Sequence, residues 1–419
     1  MVTSVAAFFI ILTDVQGGNY GKSRFKWVLR ERNRKIAAKT EAFTEQQARR
    51  VRSFHSSFKE YSPTPLIELT SLAQHFGIKN LFVKDESYRF GLNAFKVLGG
   101  SFAIGSYIAN ELGEDIDDLP YMRLVSDEVR SLLGSKTFIT TTDGNHGRGV
   151  AWTANRLKQQ AIVYMPQGSA AERLANIRAE GAQAEITDMN YDDTVRYTSE
   201  LAQKNGWIIV QDTAWDGYTR IPLWIMQGYM TMALEAYEQL PVKPTHIFLQ
   251  AGVGSLAGSV QGFFADIYGS SCPLTFIVEP KGADCLYQTA AANDGSLHSV
   301  TGRLETIMAG LACGEPNSIA WEILGNLSDG FISCPDYAAA QGMRILGNPL
   351  AGDTRVSAGE SGAATVGLVA EAMRDERLSD LKQALQLDEN SVVLCFNTEG
   401  DTDKENYRRI VWDGAWGRE

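Results

Sequence analysis

Residues 91–100 read Gly91-Leu92-Asn93-Ala94-Phe95-Lys96-Val97-Leu98-Gly99-Gly100, one lysine among apolar and small residues with glycines on both sides. Phe95, Val97 and Leu98 flank Lys96, and no acidic residue follows it within ten positions. A lysine so placed is expected to be partly desolvated, which disfavours the ammonium, lowers the pKa and frees the amine for Schiff-base chemistry with an aldehyde. A lysine that opens a buried helix and snorkels to water has the same local pattern, so the rest of the chain must decide.

Two glycine-rich turns bear on that decision. The apolar run Phe138-Ile139 leads into Thr140-Thr141-Thr142-Asp143-Gly144-Asn145-His146-Gly147-Arg148-Gly149 and then Val150-Ala151-Trp152-Thr153-Ala154. This order predicts a strand, a turn whose glycines let the backbone approach a flat ligand, and a helix whose N-terminus favours anionic groups. Further on, His246-Ile247-Phe248-Leu249-Gln250-Ala251 predicts a strand running into Gly252-Val253-Gly254-Ser255-Leu256-Ala257-Gly258 and a helical pattern through Tyr268. Backbone N–H groups of such a loop, with the Ser255 hydroxyl, suit a phosphate. Gly252, Gly254 and Ala257 also fit a relaxed dinucleotide fingerprint, with Glu279 closing the strand Phe276-Ile277-Val278. That alternative requires the loop to open the first βαβ unit, yet more than half of the chain precedes it.

The lysine, the asparagine-containing turn and the phosphate loop, in this order, resemble the fold-type II pyridoxal-phosphate enzymes, the group of the tryptophan synthase β-subunit and threonine dehydratase. Lys84-Asp85-Glu86-Ser87 and Asn397-Thr398-Glu399-Gly400-Asp401-Thr402 fall where that group has strand ends. Within the group, the runs 84–100, 140–152, 188–196, 211–215, 308–317, 357–362 and 398–403 resemble the diaminopropionate ammonia-lyase family, and the likeness extends from about residue 55 to the C-terminus.

The resemblance implies an α/β fold of two lobes, each a mainly parallel twisted sheet flanked by helices. It implies an N-terminal arm over 1–54, a large cofactor-binding lobe over 55–96 and 216–419, and a small lobe inserted over 97–215. The implied cofactor is pyridoxal 5′-phosphate, attached to Lys96, with Asn145 at its phenolic oxygen, Gly252, Val253, Gly254 and Ser255 at its phosphate, and Thr398 at its ring nitrogen. A neutral hydroxyl in that last position leaves the ring a weaker electron sink, which suits β-elimination better than transamination. The implied substrate is 2,3-diaminopropionate, an amino acid with a second amine to be expelled as ammonia.

Two carboxylates distinguish this expectation from that of a simple serine or threonine dehydratase, in which a hydroxyl substrate leaves them without a partner. Asp143 is assigned as the base for the D-enantiomer across the cofactor plane from Lys96, which serves the L-enantiomer. Asp212, after the strand Ile208-Ile209-Val210, is expected to project into the cleft, and either it or Asp143 supplies the counter-charge for the second ammonium. A non-catalytic cofactor- or amino-acid-binding protein is the remaining alternative, a class in which the lysine is often lost. Glu86, Asp353, Glu360 and Asp401 are second-rank candidates, either touching substrate or stabilising loops.

Composition agrees with a large enzyme. The 419 residues are enough for a substantial core divided between lobes, and a formal charge of −11 with no basic stripe argues against nucleic-acid binding. Five cysteines, Cys272, Cys285, Cys313, Cys334 and Cys395, lack C-x-x-C spacing, which points to reduced thiols in the cytoplasm and to no metal site. Cys285 and Cys313 both lie in family-like runs and are a candidate pair under oxidising conditions. Val5–Leu12 is apolar but too short to span a bilayer and is expected to be a strand or packing arm, contributing to a homodimer contact typical of the group. The Lys- and Arg-rich stretch 22–52 is expected to be a solvated helical face.

Overall fold

The structure, a computed structural model, describes residues 25–30 and 40–418. Two sheets organise them. The larger is formed by β1 (Lys26–Leu29), β2 (Leu66–Glu68), β3 (Asn80–Asp85), β8 (His246–Gln250), β9 (Leu274–Pro280), β10 (Gly330–Cys334) and β11 (Val392–Asn397), in the order β1-β10-β9-β8-β11-β3-β2. The smaller is formed by β4 (Thr137–Thr141), β5 (Gln160–Met165), β6 (Gln183–Ile186) and β7 (Ile208–Ile209), in the order β6-β5-β4-β7, all parallel. In the larger sheet β1 and β2 are antiparallel to their neighbours and the strands between them are parallel. Parallel strands need crossover helices on the sheet faces, and the inner strands β8 to β11 are accordingly buried on both sides.

Part of the stretch expected to be an arm is built into the large sheet. Lys26–Leu29 pairs with β10 in register Lys26 to Ser333 through Leu29 to Gly330, because an open edge strand offers a free row of backbone donors and acceptors. The basic stretch is likewise not simply a solvated face. Helix Glu45–Ser56 buries Ala48, Val51, Phe54 and His55, while Arg49 and Arg52 pair with Glu238 and Arg50 pairs with Asp115 and Asp117. His55 pins that helix inward. The Leu98 carbonyl can only accept, so Nε2 carries the proton to it at 3.0 Å, and Nδ1 accepts from the Thr231 hydroxyl at 2.7 Å. Burial, with the Arg89 charge, pulls this imidazole down to about 3 and keeps it neutral. The run Val5–Leu12 lies outside the described residues.

Three helices set the position of Lys96. Helix Val97–Leu112 packs between helix Asn145–Arg156 of the small-sheet layer and helix Arg220–Gln239. The approach needs glycine: a Cβ on Gly149 would sit 2.8 Å from the Val97 Cα and 2.9 Å from its nitrogen. Among the described residues no helix is long and apolar enough to cross a membrane.

Candidate active site

The carboxyl ends of both sheets converge on one cleft. Strand β4 ends in the turn that carries Asp143 and leads to Asn145 at the first position of helix Asn145–Arg156, and its neighbour β7 leads to Asp212. Across from them β8 ends at Gln250 and enters the Gly252 loop, and β11 ends at Asn397 before Thr398. Lys96 precedes the helix Val97–Leu112 and faces this gap. Ligands in open parallel sheets bind at such strand ends. Lys96, Asn145, Asp212, Gly252, Val253, Gly254, Ser255 and Thr398 all line the cleft, whose empty space is about 550 Å³. Asp143 borders the same space, with its Oδ2 at 3.7 Å from where a Cβ on the lining residue Gly310 would lie.

The ammonium of Lys96 donates to Asp212 Oδ2 at 2.6 Å. Burial, the largest single influence, would lower the lysine, as the local sequence leads one to expect, but the surrounding groups, Asp212 first and then Tyr229, Asp143 and Cys313, together outweigh it and the amine is held above its ordinary value. The expectation of a lowered Lys96 pKa is therefore corrected by a partner 116 positions away in the chain. Asp212 is in turn held down to about 2, with Lys96 overcoming the opposing cost of burial. Gln211 helps to fix this carboxylate: its Oε1 accepts from Thr141 N and the Thr140 hydroxyl at 3.0 Å each, tying the ends of β4 and β7 together.

Ser255 does something the sequence did not suggest. Its hydroxyl donates to the Asp212 carbonyl at 2.5 Å and accepts from Asn317 Nδ2 at 2.8 Å. The hydroxyl thus positions Asp212, while the loop backbone and the first N–H groups of helix Ser255–Tyr268, which have no intrahelical acceptor, remain for an anion. Thr398 lines the same cleft. Gln250 Nε2 donates to its Oγ1 at 3.0 Å, and also to the Ser361 and Phe396 carbonyls, so the threonine hydroxyl is left as a donor toward the cleft.

The cleft fits a polar, anionic cofactor. Tyr229 OH, Gln250 Oε1 and Ser361 Oγ line it, are buried, and have no hydrogen-bond partner among the described residues. Orphaned polar groups around a lysine are costly unless a ligand satisfies them. Several residues here were not singled out from sequence. Glu399 accepts from Asn145 Nδ2 at 2.5 Å and from Ser361 N at 3.2 Å, Arg173 donates to Asp143 Oδ2 at 3.1 Å, and the buried His146 ring, its pKa lowered by desolvation, donates from Nε2 to the Val210 carbonyl at 2.7 Å. Only Glu399, next to Thr398, carried a local signal.

Other expectations resolve into structural roles. Glu279, the proposed ribose acid of a dinucleotide site, is buried and accepts from Leu286 N and Tyr287 N at 2.8 and 2.7 Å, capping helix Cys285–Ala292. The fingerprint reading fails on that capping. Asp353 accepts from Ser71 N and Leu72 N, Asp401 from Asn93 Nδ2, and Glu86 belongs to a buried ion cluster. Cys285 and Cys313 are free thiols, Cys313 lining the cleft and Cys285 lying 3.7 Å from the Gly252 carbonyl.

Glu360 is buried near Glu399 and accepts from Asn406 Nδ2. Burial, followed by the Glu399 charge, pushes its carboxyl up to about 7 against the pull of Arg173. A folded-state pKa raised above the unfolded one contributes stability that is present below about 4.5 and is lost as pH rises through about 7. Glu360→Gln keeps the carbonyl acceptor and has no proton to lose. The variant is expected to be the more stable protein at pH 8, by on the order of 2–3 kcal/mol, with the gap closing at pH 5. Denaturant midpoints at the two pH values check this, and a pH-independent gap would refute it.

Similarity to known proteins agrees with the cleft. A family model described as pyridoxal-phosphate dependent enzyme matches residues 58–398. The diaminopropionate ammonia-lyase of Escherichia coli strain K12 is 51% identical over 376 residues, covering 89% of this chain and 93% of that protein. The crystal structure of holo diaminopropionate ammonia lyase from E. coli, with selenomethionine incorporated, superposes with a TM-score of 0.87 at 48% identity, covering 96% of this chain and 100% of that one. The same E. coli enzyme in complex with D-serine gives a TM-score of 0.87 at 47% identity, covering 95% of this chain and 99% of that one. A lysine and two acids at the strand ends, orphaned polar groups awaiting a ligand, and half-identity along nearly the whole length leave one conclusion: this chain belongs to the diaminopropionate ammonia-lyase family of pyridoxal-phosphate dependent enzymes.

Proposed function

We propose that the protein eliminates ammonia from 2,3-diaminopropionate, in the L- and the D-form, and releases 2-aminoacrylate, which hydrolyses to pyruvate and a second ammonia. The observation that carries this reading is the 2.6 Å Lys96–Asp212 pair with Asp143 bordering the same cleft beside Gly310, one amine and two carboxylates where a hydroxy-amino acid would need fewer charges. Lys96 holds pyridoxal phosphate through its amine, Asn145 and Thr398 orient the ring, and Gly252 to Ser255 take the phosphate. The cofactor supplies the electron-withdrawing ring that stabilises negative charge at Cα.

The residues of this chain do the proton work. The Lys96 amine, once released, removes the α-proton of the L-form, and Asp143 removes that of the D-form from the other face. Asp212 stays ionised well below neutral pH and pairs with the β-ammonium, keeping it protonated so that it departs as ammonia rather than as amide ion. The lobe spanning 97–215 closes the cleft over the carbanion and excludes water. We extend the reading to a homodimer, as the resemblance to the fold-type II group implies, and to the cytoplasm, supported by five cysteines without C-x-x-C spacing.

Pyruvate and ammonia release from L-2,3-diaminopropionate, D-2,3-diaminopropionate and L-serine, measured in parallel, tests the assignment. Two ammonia per pyruvate from both diaminopropionates, with serine slow, is the expected result. Serine as the best substrate would move the chain to a dehydratase. Asp143→Asn is expected to lower turnover of the D-form by about 100-fold or more, the range for losing a positioned base, and the L-form far less. Equal loss of both would refute the two-base division.

A further inference from the structure

Arg173 is buried in the first turn of helix Ala171–Ala179, in the small-sheet layer. Its Nη1 donates to Asp143 Oδ2 at 3.1 Å, and its Nε is buried with no hydrogen-bond partner among the described residues. Contrast Arg89, also buried, whose guanidinium is forked onto Glu86 and Glu235 and also reaches Thr64 and the Ser62 carbonyl. An arginine buried to hold a fold together is saturated in that way, since it carries five donors in a rigid plane. Arg173 is not saturated, and its one side-chain hydrogen bond goes to the acid assigned as the D-face base.

The fit is specific. The arginine stem lies against Gly144, where a Cβ would come within 2.8 Å of Arg173 Cδ and where φ is +154°. The turn that carries Asp143 is therefore shaped around this side chain. Burial is the largest influence on Asp143 and leaves its carboxyl raised; Arg173 and Lys96 favour the ionised form, Glu399 and Asp212 oppose it, and the titratable neighbours His146, Tyr191 and Cys313 are held neutral by burial. Lys96 is itself hydrogen-bonded to Asp212, which leaves Arg173 as the cation in direct contact with Asp143.

We propose that Arg173 is a positioning residue for Asp143, holding its carboxylate ionised and aimed into the cleft, so that it serves turnover of the D-enantiomer and not that of the L-enantiomer. This rests on the assignment of Asp143 as the base for the D-form. A neutral carboxylic acid cannot accept the α-proton, and burial beside Glu399 and Asp212 drives Asp143 toward that neutral form, with Arg173 opposing. When Asp143 takes the proton, its charge is lost, and Arg173 keeps Glu399, Glu360 and Asp403 as neighbouring counter-charges.

The test compares the holoenzymes of the parent, Arg173→Gln, Arg173→Lys and Asp143→Asn, with kcat/KM followed against pH for each enantiomer. In Arg173→Gln the acid limb of the D profile is expected to move up by about one pH unit or more, a loss of about tenfold along that limb that is regained at higher pH. The acid limb of the L profile stays in place. Arg173→Lys, with a shorter reach and no fork, moves the D limb by less. Carboxyl titration of the cofactor-free proteins by infrared difference spectroscopy, with Asp143→Asn identifying the band, is expected to show the same displacement without any turnover. An unmoved D limb in Arg173→Gln, or equal pH-independent losses for both enantiomers, overturns the proposal while leaving Asp143 as the base. An Asp143→Asn variant that fails to separate the enantiomers overturns both.

Discussion

Lys96→Ala is expected to cost the L-enantiomer about 10,000-fold or more in kcat/KM and the D-enantiomer at least about 100-fold, the upper and lower range for losing a positioned proton-transfer group. The asymmetry follows from the two faces of the cleft. For the L-form the substitution removes both the amine that holds the cofactor and the base at Cα. For the D-form it removes the attachment but spares Asp143. A second effect accompanies the first. Asp212 is held at about 2 mainly against burial by the Lys96 charge, so its carboxyl, buried without that partner, rises toward neutrality in the variant. Lys96→Arg separates the two contributions, because a guanidinium keeps the charge beside Asp212 but is not a Schiff-base amine. It should retain the parent's resistance to unfolding while losing activity with both enantiomers. Steady-state rates with each enantiomer and unfolding midpoints of both variants check this, and D- and L-turnover falling by the same factor in Lys96→Ala would remove the basis for two bases.

What the sequence disclosed of the site depended on how local each signal was. Lys96 among apolar neighbours, the turn before Asn145 and the Gly252 loop are contiguous patterns, and strand ends fixed by them meet in one cleft. Arg173 and Tyr229 sit in helical runs where nothing distinguishes them from ordinary amphipathic positions, and they acquire meaning only from contacts with Asp143 and with the cleft. The protonation of Lys96 is not legible for the same reason, because desolvation is visible in the neighbours Phe95 and Val97, whereas the counter-charge lies 116 positions on, beyond the end of β7. Of the strands, β4, β7, β8 and β9 are legible as short apolar runs. β1 is not, because four residues in a basic stretch carry no alternation and become a strand only by finding the edge of β10.

Glu235→Ala is expected to cost about 3–5 kcal/mol of stability, the range for removing one partner of a buried ion pair. Lys84 on β3 and Arg89 in the following segment are both fully buried and share Glu235 Oε2 at 2.8 and 2.7 Å, while Arg89 also forks onto Glu86. Burial alone would push the Glu235 carboxyl up, but Arg89 and Lys84 hold it below the usual carboxylate range. Two cations and two carboxylates balance, and Tyr61 and Thr64 fill the remaining acceptor sites on Glu235. Removing Glu235 leaves two positive charges and one negative in a buried space. The cluster ties the end of β3 to helix Arg220–Gln239, and the chain from β3 runs directly to Lys96, so the same loss loosens the segment that aims the lysine. Glu235→Gln, which keeps shape and an acceptor but not charge, should fall between the parent and Glu235→Ala. Urea unfolding of the three proteins measures the order, and an alanine variant within about 1 kcal/mol of the parent, the scale of an exposed ion pair, would show that the cluster does not anchor this segment.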